Sequence, residues 1–172
     1  MKEFSSSGAQ KKEAIDINKA IANTITVSRN EWKKVAEMVT MFDQDMPPVA
    51  CFPMDFNLMI LNIIMNAVHA VRDVMDTKNE GKGIISISTS HTSDWAEIRV
   101  SDTGAGIPEE ARPRIFDPFF TTREVGKGRG MGLTTAYSIV VEKHNGTISF
   151  DTETGKGTTF IIRLPLGLNG AK

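Results

Sequence analysis

From Phe56 to Met75 the chain is almost wholly apolar, and a run of this length and character reads as the strongest helix of the chain. Asp55 is placed to cap it. Its polar residues are Asn62, Asn66, His69, Arg72 and Asp73. Steps of 4, 3 and 4 put Asn62, Asn66, His69 and Asp73 in one narrow stripe. The plain reading of such a stripe is a solvent face. Solvent faces, however, draw on Lys, Glu and Gln, whereas Asn forms helices poorly and prefers caps and turns. Two asparagines in mid-helix therefore read as a cost accepted for function. An amide oxygen can ligate a hard cation such as Mg²⁺ without displacing its waters.

Composition narrows the function classes. A chain of 172 residues is enough for one well-filled core and too short for two. Lys plus Arg is 20 and Asp plus Glu is 21, a formal net charge of -1, which argues against nucleic acid as the partner. The single Cys51 excludes an intrachain disulfide framework, and His69, His91 and His144 lack metal-ligand spacing. Asn57, Asn62, Asn66 and His69 interrupt the apolar run, so no membrane span is expected, and Met1-Lys2-Glu3-Phe4 does not open a signal peptide. The expectation is a soluble, cytoplasmic-type domain, with a parent protein that an inner-membrane anchor could hold.

Residues 1–15 read as a linker, 16–166 as the folded domain and 167–172 as a tail. Asp16 caps a first helix through Ile17, Ala20, Ile21 and Thr24. Val35 to Phe42 reads as a strand ended by Pro47-Pro48. Ile84 to Ser90 and Trp95 to Ser101 alternate as a strand pair, and Thr147 to Thr152 with Thr158 to Leu164 as another. Leu133 to Lys143 is a second good helix. Between Asp102 and Gly132 lie six of the 14 glycines, the composition of a loop that moves. The order implies an α+β two-layer sandwich, with a mostly antiparallel sheet covered by helices on one face.

Three loop motifs carry further chemistry. Asp102-Thr103-Gly104-Ala105-Gly106-Ile107 follows a strand and couples a carboxylate to a tight turn. Phe116-Asp117-Pro118-Phe119-Phe120-Thr121-Thr122 sets aromatics just before the glycine-rich segment. Gly126-Lys127-Gly128-Arg129-Gly130-Met131-Gly132-Leu133 opens a helix, where free N–H groups and the positive helix end favour phosphate, and Arg123, Lys127 and Arg129 add charge. This is neither a Walker-type loop nor a dinucleotide fingerprint. Gly155-Lys156-Gly157-Thr158-Thr159-Phe160 would alone pass for a hairpin turn entering a strand.

Taken in order, Asn-x-x-x-Asn-Ala, Asp-x-Gly-x-Gly, Phe-x-Pro-Phe-Phe-Thr-Thr, Gly-x-Gly-x-Gly-Leu and Gly-Thr-Thr-Phe resemble the catalytic and ATP-binding domain of sensor histidine kinases, over about residues 45–166. The wider superfamily includes DNA gyrase, Hsp90 chaperones and mismatch-repair ATPases. The resemblance implies its Bergerat-type α/β sandwich, a mixed sheet under about three helices. It implies that Asn66 holds the Mg²⁺ bridging the ATP phosphates, with Asn62 in support and His69, Ala70 and Asp73 along the nucleotide face. Asp102 is then the acceptor for the adenine amine, Gly104, Gly106 and Ile107 lie against the base, and Thr158 and Thr159 close the floor. Phe116 to Gly130 becomes an ATP lid anchored by Phe119 and Phe120; it includes Thr121, Thr122, Arg123, Lys127, Gly128 and Arg129, with Arg123 assigned a catalytic part. Gly130, Met131, Gly132 and Leu133 hold phosphates at the helix start.

One position separates the branches of that superfamily. Members that hydrolyse ATP carry Glu four residues before the metal-binding Asn; here that residue is Asn62, and an amide is no general base. The resemblance thus implies a site that keeps ATP for another nucleophile. In the family this is a histidine on a helical dimerisation domain N-terminal to this one, which later passes the phosphoryl group to a response-regulator receiver domain. None of His69, His91 and His144 has the context of such an acceptor, so the chain reads as the engine of a homodimeric parent without its acceptor. The chain departs from the family at Arg129, where a small Thr or Ser is common, at Met131 in place of Leu, and at Leu58 in place of Gln. Rival readings are an ATPase clamp of the gyrase or chaperone type, a nucleotide-binding regulatory module without catalysis, and an anti-sigma-type serine kinase.

Overall fold

The computed structural model describes residues 11–78, 81–117 and 132–166. Strand β1 (Glu13–Ile15) leads into helices α1 (Ile17–Val27) and α2 (Arg29–Trp32), then strands β2 (Ala36–Met41) and β3 (Val49–Cys51) and the long helix α3 (Pro53–Lys78). Strands β4 (Gly83–His91) and β5 (Trp95–Asp102) follow, with a 3₁₀ turn at Glu109–Arg114. Helix α4 (Gly132–Tyr137) continues into a π-helical segment (Ser138–Lys143), and strands β6 (Thr147–Glu153) and β7 (Gly157–Pro165) close the fold.

The main sheet runs β2-β4-β5-β7-β6; β2 pairs parallel to β4 and every other pair is antiparallel. This is the mixed, mostly antiparallel sheet that the sequence implied. Strict alternation sends Ile85, Ile87, Ala96, Ile98, Val100, Phe160, Ile162 and Leu164 to one face, where all are buried. Helix α3 lies on that face and buries Phe56, Met59, Ile60, Ile63, Ile64, Ala67, Val68 and Val71. At roughly 1.5–3 kcal/mol for each large apolar side chain removed from water, this seam dominates the core. Ile17 and Ile21 of α1, and Ile139 and Val140 of the π segment, complete it. The opposite face is polar: Glu97 bridges Arg99 at 2.7 Å and Arg163 at 2.9 Å.

Asp16 caps α1 as expected, its carboxylate accepting from the Lys19 N–H at 3.1 Å. Asp55 is not the cap of α3. That helix starts on Pro53, whose fixed φ suits a first turn and whose missing N–H would have had no helical partner. Asp55 lies inside the first turn and accepts from Lys143 Nζ at 3.1 Å. The segment read as a linker up to residue 15 contributes β1, which pairs antiparallel with β3 through Glu13↔Cys51 and Ile15↔Val49. By length and composition the Pro53–Thr77 stretch is apolar enough to cross a membrane, contrary to the expectation from its interruptions; in this fold it is the helix laid across the sheet.

Candidate functional site

Two elements meet at the site, the polar stripe of α3 and the end of β5. Asn62, Asn66, His69 and Ala70 are half-buried on α3, and Asp73 is exposed one turn beyond. Helix α4 packs on α3 with its start beside Asn62: a Cβ on Gly132 would lie 3.8 Å from the Asn62 carboxamide carbon. The start of α4 therefore opens next to the amide stripe, where backbone N–H groups can meet a phosphate. Leu133, next in α4, packs against the core. Asn66 thus lies one turn along α3 from the residue facing the α4 start.

At the end of β5, Asp102 sits opposite Ile85 and Thr158 and is only 7% exposed. The Gly104 N–H donates to Asp102 Oδ1 at 2.8 Å. Burial pushes the Asp102 carboxyl up to about 6, although the Gly104 and Thr158 backbone amides favour its charged form. Such a carboxylate gains most from a donor arriving in place of lost water. Gly104 and Gly106 have reasons of their own to be glycine. A Cβ on Gly104 would stand 2.5 Å from the Ala70 Cβ and 2.6 Å from its carbonyl carbon, so the loop touches the backbone of α3. Gly106 takes φ +81° against the Glu153 carbonyl, a backbone that L side chains rarely adopt.

Thr158 and Thr159 do not share a face. Thr158 is buried on the helix side, its hydroxyl 2.9 Å from that of Thr152. Thr159 follows the strand alternation to the opposite face, where its hydroxyl meets Ser101 at 2.5 Å. Both line an open cavity of about 290 Å³ with Asp102, Asp151, Thr152 and Lys156, so the floor is made at the sheet end rather than by one surface. Sequence reasoning missed Thr152. Its hydroxyl takes the Ile107 N–H at 2.9 Å and donates to the Gly157 carbonyl at 3.2 Å, tying the Asp102 loop to the β6–β7 hairpin. Its register opposite Thr158 was the available signal. Phe119, Thr121, Thr122, Arg123, Lys127, Gly128, Arg129, Gly130 and Met131 lie outside the described residues.

Among the described residues no group of three His, Cys, Asp or Glu side chains could cage a metal. The donor set that fits a cation here is the neutral amide pair on α3, which suits Mg²⁺ that keeps waters and takes phosphate oxygens. His91 pairs with Asp43 at 2.5 Å, and His144 is buried at 2% exposure, so neither belongs to the site.

The sequence pattern of the family described as histidine kinase-, DNA gyrase B- and HSP90-like ATPase matches residues 53–168. The sensor histidine kinase ZraS of Escherichia coli K12 is 30% identical over 91% of this chain, and the sensor kinase CckA of Brucella abortus is 32% identical over 94%. The chain spans only 31% and 18% of those two proteins. Among solved structures, the nucleotide-free catalytic domain of the histidine kinase ThkA superposes with a TM-score of 0.76 at 24% identity, covering 90% of this chain and 97% of that one. Full-length ShkA in complex with AMPPNP superposes at 0.74 and 22% identity, with 90% of this chain and 31% of that one covered. These likenesses agree with the five-stranded mixed sheet and its covering helices: the chain belongs to the histidine kinase-, gyrase B- and HSP90-like ATPase family, and its relatives are sensor histidine kinases.

Proposed function

We propose that this chain binds Mg·ATP and delivers the γ-phosphoryl group to a histidine on a separate helical dimerisation domain of a homodimeric parent, from which a receiver domain takes it. The observation that carries this reading is Asn62. It stands half-buried beside the start of α4, where a hydrolysing relative needs a carboxylate to activate water, and its amide cannot take a proton at neutral pH. In this reading Asn66 holds Mg²⁺, which neutralises charge on the phosphates when bound. Asp102 accepts from the adenine amine, Gly132 and Leu133 present backbone N–H groups to phosphate, and Arg123, Lys127 and Arg129 supply charge from the lid. The bond from the γ-phosphorus to the bridging oxygen breaks, a phosphorus–nitrogen bond forms on the incoming imidazole, and ADP leaves. Two of the chain's three histidines support an acceptor elsewhere: both ring nitrogens of His144 are engaged and His91 is held by Asp43. We place the domain on the cytoplasmic side of a parent that a membrane can anchor, with no nucleic-acid partner.

The test mixes the chain with labelled ATP and Mg²⁺, with and without the parent's helical domain. Label on the histidine of that domain and none on this chain is expected. Label held stably by this chain alone, or rapid multiple-turnover phosphate release without the helical domain, contradicts the reading; the latter would favour an ATPase clamp. Saturable nucleotide binding with neither outcome would leave a regulatory nucleotide sensor.

A further inference from the structure

His144 is a buried polar residue that the proposed chemistry leaves unused, 2% exposed at the C-terminal end of the π segment. Its two nitrogens have different partners. Nδ1 lies 2.8 Å from the Ile139 carbonyl oxygen, which can only accept. Nε2 lies 3.0 Å from the Phe52 amide, which can only donate. The pair fixes one state: a neutral ring with its proton on Nδ1 and its lone pair on Nε2. Burial also holds the pKa of the ring below the usual imidazole value. The ring meets that of Phe52 edge-on, with centroids 5.4 Å apart and planes at 74°.

The position of Phe52 gives this contact reach. It joins β3 to Pro53, the first residue of α3, and β3 is paired with β1, the first described strand. Lys12, one residue before β1, places its ammonium 5.8 Å from the Phe52 ring centroid. On the other side, His144 sits at the C-terminal end of the continuous α4–π rod that starts at Gly132, and Ile139 lies within that rod. That rod is locked locally as well: Asn145 takes φ 58° and the Gly146 N–H donates to the Val140 carbonyl at 2.8 Å. A rod fixed at one end carries a displacement to the other, and π segments recur where a helix has been adapted to a function.

We propose that His144 is a positioning residue, a neutral strut that sets the α4 start against the α3 stripe from the placement of the β1–β3 ribbon, and so tunes how tightly the site holds nucleotide phosphates. The proposal rests on the nucleotide reading above. Its signature is graded: the α4 start moves with the strut, whereas the Asp102 carboxylate is held by strand register with β4 and β7 and by the Gly104 N–H, with α4 reaching β6 and β7 only through Tyr137 and Phe116 among the described ring contacts.

Two substitutions separate the strut from local structure. His144→Asn can set an amide N–H near the Nδ1 position, keeping the Ile139 contact and losing Phe52. His144→Gln can set an amide oxygen near the Nε2 position, keeping Phe52. Both are measured in the full chain, with folding checked by the thermal midpoint, and with Mg·ADP and adenosine as probes. In His144→Asn the Kd for Mg·ADP is expected to rise about 5- to 10-fold, within the range of couplings carried through packed elements. Adenosine binding is expected to stay within about two-fold, and His144→Gln to restore most of the Mg·ADP affinity. Unchanged Mg·ADP affinity in a folded His144→Asn chain overturns the proposal, as does an equal loss for adenosine. If the unaltered chain binds no nucleotide, the nucleotide reading fails, and the strut is decided by the Gly132 and Leu133 amide resonances. A shift of both in His144→Asn but not in His144→Gln supports it; resonances that stay in place in both variants overturn it.

Discussion

The two ends of the site are built on different principles. At the base end, Asp102, Gly104, Ile107, Thr152 and Thr158 are joined to one another by hydrogen bonds, and the carboxylate is already desolvated. At the proposed phosphate end the groups are amides on one helix and the backbone at the start of another. The first is fixed by strand register, which admits no small displacement. The second depends on how α4 is set against α3, and helix faces can slide where paired strands cannot. On the proposed reading, base recognition is therefore preformed, while phosphate affinity is adjustable.

The largest effect expected is at the phosphate end. Asn66→Ala removes the proposed cation ligand and should lower phosphoryl transfer to the helical domain by about 10²–10³-fold, the usual loss for one electrostatic stabiliser of a transition state. Adenosine affinity should hardly change. If transfer falls no further than adenosine binding does, the division between the two ends is wrong.

Gly104→Val comes next, and it acts on folding. Its side chain would have to enter the contact with Ala70, where an added Cβ alone would stand 2.5 Å from that residue's own. Overpacking of this kind costs roughly 1–3 kcal/mol, read as a lowered denaturant midpoint. A variant of unchanged midpoint would show that the loop is not pinned to α3.

Asp102→Asn should weaken adenine nucleotide binding about 10- to 100-fold, because an amide is a poorer acceptor than a buried carboxylate and carries N–H donors of its own. Stability should not fall with it. Asp102 is raised from 3.8 to about 6, so the folded state binds the proton more readily than the unfolded chain. Its contribution to stability is present at low pH and lost as pH rises from 3.8 through about 6, which is the cost of keeping the charge buried at neutral pH. Asp102→Asn should abolish this slope. In the unaltered chain nucleotide affinity should weaken below pH 6, as protonation turns a charged acceptor into a weaker neutral one. Affinity that stays flat from pH 7.5 to 5 would place the base contact elsewhere.

The smallest effect expected is Lys143→Ala. Its partly exposed pair with Asp55 at 3.1 Å should contribute less than about 1 kcal/mol, and less still at high salt. A larger loss in the thermal midpoint would mean that the C-terminal end of the rod is held by charge as well as by His144.

Much of this organisation was legible in the residues. Alternation located β4, β5, β6 and β7 to within a residue or two, since a half-buried strand has no other way to hide Ile85 and Ile87 or Ile162 and Leu164. The α3 stripe was legible because asparagine is an unexpected residue there. The β1–β3 ribbon was not. Glu13–Ile15 and Val49–Cys51 are three residues each, too short for any period to show, and they exist as strands only through each other. The start of α3 was displaced because Asp55 is a good capping type, whereas the helix opens earlier, on Pro53. Sequence continued α4 as an ordinary helix to Lys143; the change to π geometry after Tyr137 has no local marker, and it ends at the tertiary bonds of His144. The glycines of the Asp102 loop were expected to face a ligand, and two of them are also required by the chain itself, against Ala70 and Glu153.

The central claim is that this site holds ATP without spending it on water, and the most direct measurement follows nucleotide binding and phosphate release in one sample of the chain with Mg·ATP. Saturable binding with phosphate release at background, followed by transfer once the parent's helical domain is added, is the predicted result. Steady phosphate release over many turnovers by the chain alone, abolished by Asn66→Ala, would contradict it and return the site to the hydrolysing branch of the family.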